Sequence, residues 1–172
     1  IFHRDVELVK ALLNVESHTK KIDKWNVEGS AVVATRDSKV AAWGQRIYPV
    51  VLAVLGYALT RELQKELGAD FVKGGYAFGS VSSGEAVEHS DVDMYFVVSS
   101  LGNRGLELQR RAHELEDALV KELQEAGINR SKIFDNKVAL GRGAVSAWDN
   151  NLKDLTIARL NEWLSREYRQ YA

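Results

Sequence analysis

Cysteine is absent from the chain. Disulfides, thiolate metal sites and cysteine nucleophiles are excluded together, and a reducing, cytoplasmic site of action suits the composition. Proline occurs once, as Pro49, beside thirteen glycines, which excludes a collagen-like or linker-like polymer. An excess of either charge is also missing, with 23 basic against 24 acidic residues. Net charge therefore predicts no strong non-specific attraction to nucleic acid, although a local basic groove stays open. No apolar run reaches the roughly 20 residues of a membrane-spanning helix. The longest candidate, Val50 to Leu59, is too short and adjoins charge. The first residue is Ile1, with no signal-peptide pattern before the folded part. The chain reads as a fragment or processed product, and secretion as part of a larger polypeptide is left open.

What is present suits one globular domain: 172 residues, 45% apolar and 27% charged. Val6, Val9, Leu12 and Leu13 give Phe2 to Val15 helical spacing. Lys20 to Asn26 is polar and predicts a turn, and Ala31 to Val33 fits either a short strand or the start of a helix. Ser38 to Leu67 is the strongest helical region, with Pro49 expected to kink or split it and Gly68 to stop it. Trp43, Tyr48 and Tyr57 read as core packing. Phe71 to Phe78 and Asp91 to Ser99 read as strands, separated by a short polar segment. Gly105 to Ala126 is an amphipathic helix that Gly127 ends. Ser131 to Leu140 predicts one strand or two short ones, and Val145 to Tyr171 a last helix. The expectation is an α/β (α+β) fold, a small mixed sheet packed against several helices. Its parts are a mainly helical 1–70, a core over 71–140 and a C-terminal helix over 145–172.

The segment Gly74 to Val98 stands apart. Asp91 and Asp93 lie two apart in a predicted strand, so both carboxylates leave one face while Val92 and Met94 leave the other toward a core. Two neighbouring carboxylates repel each other unless something positive lies between them. Magnesium or manganese suits that position, because hard cations prefer oxygen ligands. His89 is a weaker candidate ligand. Upstream, Gly79-Ser80 follows a strand: the glycine allows close backbone approach to a ligand and the serine adds a hydroxyl. If a helix starts there, its free N–H groups favour phosphate.

Phe78-Gly79-Ser80, ten residues, then Asp91-Val92-Asp93-Met94, with Ser90 just before, resembles the signature of the DNA polymerase β-like nucleotidyltransferase superfamily. The likeness is sharp over about 25 residues and looser across Val50 to Leu140. It implies a small mixed sheet, a magnesium or manganese cofactor bound by Asp91 and Asp93, a nucleoside triphosphate held by Gly79 and Ser80, and a third carboxylate on a later strand. Asp135 is the best-placed candidate for that carboxylate, and a plain turn aspartate is the competing reading. Glu85 and Glu88 read as solvated surface. Lys73, Arg130, Lys137 and Arg142 could each contact phosphate, and each also reads as plain surface charge.

The expected activity is transfer of a nucleoside monophosphate, AMP from ATP, to a hydroxyl of a protein, RNA or small molecule with release of pyrophosphate. A non-catalytic nucleotide-binding module of the same fold is the alternative, favoured if no third carboxylate exists. The layout loosely resembles nucleotidyltransferase modules set within larger regulatory or secreted proteins, including bacterial toxins and effectors.

Overall fold

A computed structural model describes residues 1–15, 47–140 and 153–155. Their elements run α1 (His3–Val15), α2 (Ile47–Leu67), β1 (Val72–Phe78), α3 (Gly79–Ser83), β2 (Val92–Val98), α4 (Asn103–Glu125), β3 (Phe134–Leu140) and β4 (Lys153–Asp154).

The sheet has the order β3-β2-β1-β4 and is mixed. β1 pairs antiparallel with β2 and with β4, while β2 and β3 are parallel. A parallel pair needs a long crossover, and α4 supplies it. That helix buries Leu108, Ala112, Leu115, Leu119 and Leu123, a stripe of threes and fours facing inward. α2 is apolar on nearly every side because it is enclosed. It packs on β1 and β2 and also meets α1 and α4. Every residue from Val50 to Thr60 along it is buried.

β2 is an inner strand of the sheet. Val92, Met94, Phe96 and Val98 are at most 1% exposed and join the main core under the helices. The opposite face carries a second cluster in which Tyr76, Phe78 and Ala139 pack around Tyr95 and Val97. Close approach of α2 to β1 depends on Gly75, where a Cβ would collide with Thr60 Oγ1. That hydroxyl is in turn fixed, donating to Gly56 O at 2.9 Å.

α1 is tied to α2 by charge. Arg61 donates to both oxygens of Asp5 at 2.8 Å each and to Glu62 Oε2 at 2.9 Å. Asp5 is only 2% exposed, so this fork keeps a buried carboxylate paired.

Two expectations change here. Within the described residues α2 starts at Ile47, so Pro49 falls in its first turn, where the N–H has no intrahelical partner to lose. The proline therefore breaks nothing between 47 and 67. In the stretch expected as a C-terminal helix, Lys153 and Asp154 are instead extended, paired with Ala77 and Tyr76. Leu155 N donates to Gly75 O at 2.8 Å and Leu155 is buried. The free edge of β1 and a place in the core outweigh helical periodicity there. Residues 145–152 and 156–172 lie outside the described set, as do the calls on 20–26, 31–33, 38–46, Trp43 and Arg142. Tyr57 is buried and Tyr48 packs against the core, as expected.

Candidate active site

Three strand ends meet at one end of the sheet: the last residue of β1 and the first residues of β2 and β3. Phe78 lies opposite Asp93, and Asp93 lies opposite Asp135. Parallel neighbours at the ~4.8 Å strand spacing that share a register present side chains to the same face. Asp135, ambiguous in the sequence, is thus beside Asp93, and it sits in a regular seven-residue strand rather than a turn. Asp91, two residues before Asp93, is half-buried just ahead of β2.

The electrostatics report the same crowding. The Asp93 carboxyl is held above its ordinary pKa, first by burial, then by the charge of Asp135 and a hydrogen bond shared with it, then by Asp91. Lys137 acts in the opposite sense. Even with Lys137 nearby, repulsion among the carboxylates and burial prevail at Asp93.

Gly79 is bound to this cluster sterically. Its φ is +66°, in the left-handed region, and a Cβ there would stand 2.9 Å from Asp93 Oδ2. Glycine is needed both for the backbone conformation and for room beside the carboxylate. The helix expected after Gly79-Ser80 is a single turn of five residues, too short to carry a sizeable dipole. Ser80 is half-buried, and among the described residues its hydroxyl has no hydrogen-bond partner. Ser82 and Ser83 bond back to Gly79 O and Ser80 O.

Two basic residues that the sequence could not distinguish from surface charge are built into the site. Arg130 gathers the loop before β2: it donates to Glu88 O, to Ser90 O at 2.8 Å, to Lys132 O at 3.0 Å and to Asp91 Oδ1 at 3.3 Å. Lys137 shares the face of Asp135 two residues on. Its Nζ lies 5.5 Å and 5.9 Å from the ring centres of Phe78 and Tyr95, which pack 4.7 Å apart. Aromatic faces hold the ammonium near the carboxylates. A hollow of about 220 Å³ lined by His89, Asp91, Asn129, Arg130, Ser131 and Lys132 opens beside Asp91. Lys73, by contrast, is exposed at the far end of β1 and is not part of the site. Glu85, Glu88 and His89 are exposed in the loop between α3 and β2.

An all-oxygen donor set short of positive charge suits a hard divalent cation. Among the described residues no three such groups already converge closely enough to hold one. Asp93 and Asp135 are together, while Asp91 leans on Arg130. The donors fit magnesium or manganese provided that Asp91 exchanges this contact for the ion.

A mixed sheet packed on helices, with Asp93 and Asp135 on adjacent strand starts and Gly79 beside Asp93, is consistent with a nucleotidyltransferase fold. Residues 60–133 match the family model of the nucleotidyltransferase domain, a match that supports a transferase of nucleotidyl groups. The matched stretch ends two residues before Asp135. No curated protein and no solved structure matches the chain significantly.

Proposed function

We propose that the chain transfers a nucleoside monophosphate from a nucleoside triphosphate, ATP in the first instance, to a hydroxyl on a protein, RNA or small molecule, releasing pyrophosphate. The observation that carries this reading is the parallel register that sets Asp135 beside Asp93, with Gly79 closing on the Asp93 carboxylate. It supports reading Asp135 as the third carboxylate, whose absence would have favoured a binding-only module.

In this reading Asp91, Asp93 and Asp135 hold the divalent cation. When bound, the ion offsets charge on the triphosphate and stabilises in-line displacement at the α-phosphorus. Gly79 leaves room for a phosphate to approach the backbone, and the Ser80 hydroxyl donates to it. Lys137 on one side and Arg130 with Lys132 on the other place positive charge where the triphosphate tail would lie. Asp135, on the strand next to Asp93, is the group best placed to accept the proton of the attacking hydroxyl. No helix among the described residues is long and apolar enough to cross a membrane.

The test is a pair of labels. With Mg²⁺ and a cell lysate as the source of acceptor, α-labelled ATP should mark an acceptor and γ-labelled ATP should release labelled pyrophosphate. Label transferred from the γ-position would instead indicate a kinase-type reaction and contradict the proposal.

A further inference from the structure

Glu116 occupies the buried stripe of α4, among leucines and an alanine, and is only 7% exposed. A carboxylate in such a place is costly unless it is hydrogen-bonded, and an apolar residue would fill the position more cheaply. Its Oε2 accepts two backbone N–H groups, from Ile133 and from Phe134, at 2.8 Å each. These are the two residues immediately before Asp135. Ile133 is held from the other side too, since its carbonyl accepts from Val92 N at 2.7 Å. The chain entering β3 is therefore fixed between α4 and β2 one peptide ahead of Asp135. A tether at that point decides how far β3 sits along β2, and hence whether Asp135 faces Asp93.

We propose that Glu116 is a positioning residue for the site: through the amides of Ile133 and Phe134 it sets the Asp135 carboxylate beside Asp93. The proposal rests on the reading of Asp93 and Asp135 as cation ligands. What matters in it is the reach of the acceptor oxygen, not its charge.

Two mild variants separate those properties. Glu116→Gln keeps the reach and loses the charge; Glu116→Asp keeps the charge and withdraws the oxygen by one carbon. The probe is Mn²⁺ alone, its free concentration read by electron paramagnetic resonance well below the melting temperature, with amide exchange at Ile133 and Phe134 measured in parallel. Loss of a group that orients a metal ligand typically weakens metal affinity about 10–100-fold. Glu116→Asp is expected to fall in that range with faster exchange at both amides, and Glu116→Gln to stay within about threefold of the parent. Parent-like Mn²⁺ affinity in Glu116→Asp, or a greater loss in Glu116→Gln than in Glu116→Asp, overturns the positioning role. Asp93→Asn is the control. If it binds Mn²⁺ as tightly as the parent, the reading of the site itself fails and the role of Glu116 falls with it.

Discussion

Replacing Gly79 by alanine adds one methyl group where backbone and carboxylate meet. Two effects are expected, and the structure separates them. The residue must stay at φ +66°, which costs an L-residue about 1–2 kcal/mol. In a chain of this length that lowers the melting temperature by about 2–8 °C, taking about 2–4 °C per kcal/mol. The methyl must also find room 2.9 Å from Asp93 Oδ2, closer than a Cβ normally stands, so the carboxylate moves. A displacement approaching 1 Å in a catalytic group costs about 100-fold in rate. Gly84 supplies the control: its φ is +81°, yet a Cβ there meets nothing within 4 Å. Gly84→Ala should lose similar stability and keep its activity. The assay is transfer from α-labelled ATP alongside thermal melts of both variants and Mn²⁺ binding. Equal activity in the two variants would refute the argument that Gly79 is needed to make room for Asp93.

Further outcomes follow from the same contacts. Asp93 keeps its proton to higher pH in the folded than in the unfolded chain, so the folded state binds more protons in that window and stability falls as pH rises through it. Asp93→Asn should flatten this decline in metal-free protein, raise stability at pH 7 by about 0.5–2 kcal/mol and abolish transfer, as read from melts across pH and from the labelled assay. Asp5→Ala leaves Arg61 without its bidentate partner and should cost about 3 kcal/mol in urea denaturation. Gly75→Ala should cost about 1–3 kcal/mol through its collision with Thr60, and Thr60→Ala in the same chain should return part of it, a coupling that a double-mutant cycle measures directly.

The parts of the fold that carry their own periodicity were legible in the sequence. The stripe of α4, the alternation of β2 and the glycines ending α2 and α4 each need only local physics. At the site, Gly79, Ser80, Asp91 and Asp93 were readable because they fall within one contiguous segment. Asp135 could be named only as the best-placed candidate, with a turn aspartate competing, because its place beside Asp93 follows from a parallel register fixed across a 23-residue crossover helix. Asp-Asn-Lys interrupts the apolar residues of 131–140, which is why the sequence left one strand or two short ones open there. Arg130 and Lys137 were hidden for a related reason: one acts by collecting carbonyls from a loop forty residues away in sequence, the other by resting on rings from β1 and β2. β4 was misread as helix because Leu152, Leu155, Leu160 and Leu164 suggest helical spacing. Extended pairing at 153–154 is set by the open edge of β1, which a linear reading cannot see.

The central claim is that Asp135 and Asp93 act together on one cation. It is tested most directly by measuring transfer from α-labelled ATP with Mg²⁺ in Asp93→Asn, Asp135→Asn and the double variant. Groups acting as a unit are non-additive, so each single variant should lose nearly all activity and the double should be little worse than either. An Asp135→Asn protein that is folded and transfers at close to the parental rate would contradict the account.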